Sequence, residues 1–259
     1  MRTANELVFR PVMPTRAVLS GVAVAILVAA ALPALAMHPM LTEDTGTQGK
    51  GRFELELGFE RVREGDATSF EFGPQLSGGA LDNVDLIVRP AWLDLRGNAD
   101  SARGLGDTAL DVKWRFLEAN PWSYGLRAGL DLPTGSEGKG LGSGKTGYHG
   151  VLIATWAVDA LSVSANVGVL HVGNLPLQRR NLGLATVGIV WEAREGLRLA
   201  AEVDTATNPD PGRSSWPTVT RVGIVWSLDK HWDVDVGYQA PINRPAPDAA
   251  ILAGATLRW

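Results

Sequence analysis

The chain has 259 residues, of which 45% are hydrophobic and 20% are charged, and it contains 30 glycines, 9 tryptophans and no cysteine. This composition is too apolar for a disordered chain. The lack of cysteine excludes a disulfide scaffold, a thiolate zinc site and a cysteine nucleophile. A formal net charge of -4 argues against nucleic acid as a partner, so none is expected.

The N-terminal 36 residues have the pattern of a secretory signal peptide. A segment containing three arginines precedes an apolar run over residues 17–36, which ends in the small-x-small cleavage pattern Leu-Pro-Ala-Leu-Ala. An uncleaved membrane anchor is the alternative, because about 20 apolar residues can span a bilayer. The polar sequence that follows favours cleavage. We therefore expect an exported chain that begins near Met37, with either Met1 or Met13 as the start of synthesis.

From residue 53 onward the chain is a series of segments in which apolar residues alternate with polar ones. In the first segment Phe53, Leu55 and Leu57 alternate with Glu54 and Glu56, so one face of a strand is apolar and the other polar. Twelve such strands are expected. They are centred on residues 53–60, 70–76, 84–92, 110–116, 122–131, 148–156, 161–169, 185–191, 197–204, 222–226, 232–238 and 251–259.

A soluble β-sandwich is the ordinary explanation for alternating strands, but three features favour a transmembrane up-and-down antiparallel β-barrel. Many segments approach the roughly 9–11 residues that a tilted strand needs to cross a bilayer. The polar face is too charged for a packed core and suits a hydrated lumen. Short connections, such as Gly78-Gly79, alternate with longer ones, as periplasmic turns and outer loops do. The longest connection, residues 133–146, is glycine-rich over 138–146 and is predicted to be a mobile outer loop.

The aromatic residues fit the same topology. Seven of the nine tryptophans fall at the periplasmic ends of the expected strands, where indole rings prefer the headgroup zone. The chain ends on Trp259, and a terminal aromatic on the last strand resembles the assembly signal of bacterial outer-membrane proteins. We therefore expect the protein in the bacterial outer membrane. Its expected partners are outer-membrane lipid, the assembly machinery through Trp259, and a small-molecule solute.

The inward face of the strands supplies the candidate lining of the lumen. The acids on this face are Glu54, Glu56, Glu60, Glu71, Asp85, Asp107, Asp111, Asp131, Glu202, Asp204, Asp233 and Asp235. The bases are Arg89, Lys113, Arg115, Arg127, Arg198, Arg221 and Arg258. Opposed charges would lock the wall through ion pairs, and the excess of acids would favour a cation-preferring pathway.

A polar leader, residues 37–50, precedes the barrel, residues 51–259. Its candidate functional residues are Thr42, Glu43, Asp44 and Gln48. About 15 extended residues reach roughly 50 Å, so the leader could thread into the lumen as a plug. Glu43 and Asp44 would then face Lys113, Arg115 and Arg127. A periplasmic tail is the alternative.

The start of the leader resembles a known family. The run His-Pro-Met-Leu-Thr-Glu-Asp-Thr-Gly-Thr-Gln-Gly-Lys-Gly, residues 38–51, is similar to the opening of the proteins called "putative MetA-pathway of phenol degradation", with Met40 where leucine is usual. Gly-Leu-Gly-Asp at 104–107 and Leu-Pro-Thr-Gly at 132–135 also resemble that family. The resemblance covers residue 38 to the end. It implies an outer-membrane barrel and transport of hydrophobic or aromatic compounds.

Residues able to perform catalysis are sparse. The four histidines are widely spread and form no His-x-x-x-His pair, so neither a metal nor another cofactor is expected. Ser164 and His149 could share a face, as in barrels that hydrolyse lipid, but no orienting group is evident near them. We expect a passive channel or transporter rather than an enzyme. The alternatives are an outer-membrane enzyme, a purely structural barrel and a periplasmic binding protein with a β-sandwich fold.

Overall fold

The computed structural model describes residues 38–97, 101–173 and 178–259, so the predicted signal peptide lies outside the described residues. These residues form fourteen strand segments and one short 3-10 helix, Glu137–Lys139. Within this part of the chain no helix is long and apolar enough to cross a membrane. The strands are β1 (Phe53–Glu64), β2 (Ala67–Leu81), β3 (Val84–Arg89), β4 (Trp92–Arg96), β5 (Ser101–Leu105), β6 (Thr108–Ala119), β7 (Trp122–Leu132), β8 (Gly147–Val158), β9 (Leu161–His171), β10 (Asn181–Arg194), β11 (Leu197–Ala206), β12 (Thr218–Ser227), β13 (Trp232–Pro241) and β14 (Ala249–Arg258).

The segments make a closed antiparallel barrel of twelve strands, which confirms the predicted fold. β3 and β4 pair with different parts of β2 and are two halves of one barrel strand. β5 and β6 pair with β4 and β3, and they form the next barrel strand in the same way. β1 pairs with both β2 and β14, so the sheet closes on itself. Closure leaves few backbone groups unpaired, as a structure in hydrocarbon requires.

Side-chain direction follows the alternation in the sequence. On β6, Val112 and Trp114 point outward and are each 45% exposed, whereas Asp111 and Lys113 point inward and are buried. On β7, Arg127 is fully buried inside the barrel, and its neighbour Leu126 lies on the outer face. An apolar band outside and polar groups inside are what a barrel in lipid requires.

The barrel has two different ends. At the turn end, β2–β3, β6–β7, β8–β9, β10–β11 and β12–β13 are joined by short connections, and both β1 and β14 have a terminus there. At the loop end the connections are mostly longer, and the longest runs over residues 133–146. The short connection between β1 and β2 is the predicted exception.

One predicted turn is wrong. Gly78 and Gly79 do not end the second strand, because β2 continues to Leu81. A Cβ atom on Gly79 would lie 1.9 Å from the carbonyl oxygen of Gly49. The glycine is therefore needed for the close approach of the leader to the wall, and a tight turn is not the reason for it.

The inner face is also less polar than expected. Near the loop end, inward-facing apolar residues form small buried clusters, such as Leu93 with Leu95 and Leu170 with Leu182. This part of the inner wall therefore carries apolar side chains, although a charged face suited to a hydrated lumen was expected. The charged residues concentrate instead where the leader crosses it.

Candidate functional site

The described part of the leader, residues 38–50, lies inside the barrel. The Gln48 backbone N–H donates to the carboxylate of Asp85 on β3, at 3.0 and 3.1 Å from its two oxygens. At the other end of the segment, Nδ1 of His38 lies 2.6 Å from Oδ1 of Asp235 on β13. Between these ends the leader also bonds to Glu202 on β11, which lies opposite β3 in the closed ring of twelve strands, so the leader spans the lumen.

Glu43 is the most densely bonded residue of the leader. Nζ of Lys113 on β6 donates to its carboxylate at 2.6 Å, and Nη1 of Arg127 on β7 donates to the other carboxylate oxygen. All three residues are buried, Arg127 completely. Charge-assisted hydrogen bonds between buried groups are much stronger than the same bonds in water. Two wall cations thus hold one leader carboxylate.

The backbone of Glu43 is held as well. Its N–H donates to Oδ1 of Asn166 on β9 at 2.7 Å, and Nδ2 of Asn166 donates to the Glu43 carbonyl at 2.9 Å. The side-chain amide therefore mimics the pairing of a neighbouring strand. Asn166 is not among the residues expected from sequence to bind the leader. The available signal was a lone amide on the inward face of β9, which otherwise carries serine, glycine and leucine.

Arg127 connects the leader to a wider network in the wall. Its Nη2 donates to Asp111 Oδ2 on β6 at 2.5 Å and to Gln75 on β2 at 3.1 Å. His149 on β8 lies 2.9 Å from Oδ1 of Asp111 and 3.2 Å from Asp131. The cation that binds Glu43 is therefore also held by residues of the wall itself, which keeps its position independent of the leader contact.

A second anchor lies on β11. The backbone N–H groups of Leu41 and Thr42 donate to the two carboxylate oxygens of Glu202, at 2.7 and 2.8 Å. Glu202 and Thr42 are each only 3% exposed. A fork of two backbone donors on one carboxylate fixes both the position and the direction of the leader at this point.

Nearer the turn end, the hydroxyls of Thr45 and of Ser123 on β7 lie 2.5 Å apart, and the Thr45 N–H donates to Thr155 at 3.1 Å. Gln48 also donates from its side chain to Glu54 at 2.8 Å. Asp44 is different, because it is partly exposed and its nearest cation, Lys113, is 3.5 Å away. Of the two leader acids, Glu43 therefore carries the contact with the wall.

Inward-facing glycines make room for this segment. A Cβ atom on Gly188 would lie 2.4 Å from Cε of Met40, and one on Gly223 would lie 2.4 Å from Cγ of Pro39. Together with Gly79, these positions form a track of small residues on the inner wall. Any larger side chain there would displace the leader.

The remaining predicted lumen residues face inward and mostly pair with one another. The ion pairs are Arg89 with Glu71 at 3.1 Å, Arg221 with Glu60 at 3.3 Å, Arg198 with Asp233 at 2.5 Å, and Arg258 with Glu54 and Asp233, each at 2.7 Å. Glu56 accepts a hydrogen bond from Gln75 at 2.6 Å. The carboxylate oxygens of Asp204 are buried, and the nearest cation, Arg221, is 3.9 Å away. Contrary to the expectation, Arg115 pairs with Glu118 at 3.4 Å and takes no part in holding the leader.

Ser164 and His149 do not form a catalytic pair. Ser164 lies opposite Thr155, and His149 lies opposite Leu170. The six residues from His149 to Thr155 correspond to roughly 20 Å along the strand. His149 does have carboxylate partners that were not evident from sequence spacing, but the nucleophile is out of its reach. Among the described residues no group of three histidine or acidic side chains could hold a metal ion.

The long loop is more fixed than expected. Asp107 accepts hydrogen bonds from the backbone N–H groups of Gly135 and Ser143, at 3.0 and 2.8 Å, and from the Ser143 hydroxyl at 2.9 Å. Leu141 of this loop is 2% exposed and packs on Leu93 and its buried apolar neighbours. Residues 133–146 are thus folded back onto the barrel at its loop end rather than extended as a free loop.

These features define the class of the protein: a twelve-stranded barrel of the outer-membrane type with an N-terminal segment inside its lumen. The chain belongs to the family described as "Putative MetA-pathway of phenol degradation", which matches residues 38–259. This match confirms the resemblance that was first evident in the opening of the leader.

Solved structures of outer-membrane channels and porins have the same fold. The COG4313 outer membrane channel from Pseudomonas putida F1 superposes with a TM-score of 0.70 and 13% identity, over 83% of this chain and 98% of that one. The KdgM porin gives 0.56 and 12%, and the NanC porin 0.54 and 8%, each over 79% of this chain and 98% of the other. At these identities the likeness concerns the fold. No curated protein matches the chain.

Proposed function

We propose that the protein is a passive outer-membrane channel for small solutes, including hydrophobic or aromatic ones, and that the leader is a plug in its lumen. The observation that carries the proposal is the clamp on Glu43 by Lys113, Arg127 and Asn166. A segment bonded to opposite sides of the barrel narrows any path along its axis. Transport then requires either displacement of the leader or a path around it.

The solute class is supported by the lining of the loop end. Leu93, Leu95, Leu170 and Leu182 face inward there and are buried. Apolar inner walls favour apolar solutes, because the transfer of apolar surface out of water is favourable. The family description, which refers to phenol degradation, points in the same direction. The excess acids deeper in the lumen favour cations over anions among polar solutes.

The proposed location is the bacterial outer membrane, reached by cleavage of a signal peptide over residues 1–36. Outer-membrane lipid would contact the apolar outer face, and the assembly machinery would recognise the strand that ends on Trp259. The protein should fractionate with the outer membrane and migrate differently on gels before and after boiling. Recovery as a soluble periplasmic species would contradict this location.

The separation of Ser164 from His149 along β8 and β9 weighs against the hydrolase that the sequence left open. A purely structural barrel differs from a channel in one measurable property, which is conductance.

The test of the plug uses the fact that the chain has no cysteine. Thr45→Cys with Ser123→Cys replaces two hydroxyls 2.5 Å apart, so a disulfide can form there and fix the leader to β7. In planar bilayers the oxidised double variant should show lower conductance than the reduced one. Deletion of residues 37–48 should raise conductance while barrel assembly continues. Equal conductance in the locked, reduced and deleted forms would show that the leader does not restrict passage.

A further inference from the structure

We infer that the barrel has a side opening near its loop end, between β5 and β7, through which an apolar solute passes between the lumen and the outer leaflet of the membrane. Residues 133–146 close this opening in the structure. The inference rests on the proposed function, because it specifies the route that the solute takes.

The ladder of strand pairing is interrupted between β5 and β7. Two adjacent barrel strands are broken at the same height, one at Pro90-Ala91 between β3 and β4, and one at Gly106-Asp107 between β5 and β6. These two strands stay joined to each other, because the Gly106 N–H donates to the Ala91 carbonyl at 2.9 Å. Beyond the break β5 pairs with β4 alone, and no strand in the described part of the chain pairs with its other edge. β7 pairs with β6 only as far as Thr108 opposite Leu132, and then leaves the sheet.

The gap is filled by side chains and turns of the long loop rather than by strand pairing. The Thr134 hydroxyl donates to the Gly106 carbonyl at 2.9 Å and lies 2.9 Å from the hydroxyl of Thr108. Asp107 holds Gly135 and Ser143, as described above. A few hydrogen bonds of this kind open far more readily than a continuous strand ladder, because local segments open without unfolding the barrel.

The opening lies at the outer boundary of the lipid. On the outward face of β4 and β5, the apolar pair Trp92 and Leu105 is followed two residues on by the charged pair Asp94 and Arg103. Leu105 is 62% exposed. A strand edge without a partner is not tolerated within hydrocarbon but is allowed at its boundary. The change from apolar to charged side chains places the unpaired edge of β5 at that boundary.

The inner side of the opening is apolar. Leu141 covers it from the loop and packs on Ala67, Leu93 and Leu95, with Ala102 of β5 beside them. The leader contacts lie deeper, on Lys113 and Arg127. A solute that enters from the loop end therefore meets the apolar cluster before it meets the leader, and it can leave sideways without displacing the plug.

The experiment compares two disulfide locks in the same cysteine-free chain. The loop lock is Thr108→Cys with Thr134→Cys, which joins the base of the loop to β6. The leader lock is Thr45→Cys with Ser123→Cys. Intact cells that make each variant receive N-phenyl-1-naphthylamine, a dye that fluoresces on entering the membrane. The single-cysteine variants and the reduced double variants serve as controls.

In cells with the leader-locked variant, dye should enter as fast as in cells with the unlocked protein. In cells with the loop-locked variant, dye should enter only as fast as in cells that lack the protein. Reduction should restore entry through the loop-locked barrel. Loss of dye entry with the leader lock would overturn the inference in favour of an axial route, and so would normal entry with the loop lock. If unlocked protein adds nothing to dye entry, the proposed passage of apolar solutes fails and the side opening fails with it.

Discussion

Replacement of Glu43 by glutamine should release the leader from the lumen. The glutamine side chain fits the same space, but it lacks the charge that Lys113 and Arg127 bind. It also turns an amide NH2 group towards at least one of these cations. Because both cations are buried, the loss of their partner carries a penalty that solvent does not relieve.

The size of the effect follows from the geometry. Removal of one partner of a buried ion pair costs about 3–5 kcal/mol. Arg127 keeps Asp111, and Lys113 keeps Asp44 at 3.5 Å, so the lower end, about 3 kcal/mol, applies. Since about 1.4 kcal/mol is a factor of ten, the ratio of released to docked leader should rise roughly 100-fold.

The assay is the single-channel open probability of purified, refolded protein. Asp44→Asn is the matched control: Asp44 is the adjacent acid, it is partly exposed, and ion pairs of that kind contribute about 0–1 kcal/mol. Open probability should therefore rise strongly for Glu43→Gln and little for Asp44→Asn. Equal responses of the two variants would refute the argument that burial of the Glu43 clamp holds the leader.

Three further predictions address the wall. Leu126→Arg should lower the free energy of unfolding by about 2–4 kcal/mol in urea titrations in lipid vesicles, because Leu126 faces hydrocarbon; equal stability to wild type would mean that the two faces are misassigned. Gly79→Ala should displace the leader and raise conductance with the barrel still folded, whereas Gly150→Ala, at a position with open space, should change neither; a docked leader in the first variant would disprove the close approach. Trp259→Ala should reduce the amount of protein assembled in the outer membrane but not refolding in vitro, and Trp191→Ala should have less effect on assembly; similar losses would mean that the terminal position has no special role.

The architecture was accessible from sequence because a barrel in lipid leaves a strong periodic pattern. Each wall residue faces either hydrocarbon or lumen, and the alternation of apolar and polar residues predicts that Leu126 faces outward and Arg127 inward. The strand count follows from the same pattern. The pattern does not show how a barrel strand continues after a break in its pairing. The sequence therefore did not predict β5 or its unpaired edge.

The contacts of the leader were only partly accessible. Glu43 and its two cations could be matched by charge, since a buried carboxylate requires partners of opposite sign. Asn166 could not be matched to the leader in this way, because its amide carries no charge and the residue lies far along the chain from Glu43. Arg115 was matched with the leader by charge alone, yet it lies near the turn end and pairs with Glu118. The glycines of the track look like turn or strand glycines until the segment that lies against them is known.

The position of the leader in the chain has a consequence for assembly. His38 and Asp235 are 197 residues apart in sequence, and Glu43 and Lys113 are 70 apart. Contacts of such long range form late, because the intervening chain must first be ordered. The leader directly precedes β1, the strand whose pairing with β14 completes the ring. The contact of His38 with Asp235 can therefore form only after β13 has been made and placed. The bond of His38 to Asp235 thus requires a completed wall, whereas the bonds of Glu43 to Lys113, Arg127 and Asn166 use strands that come earlier in the chain.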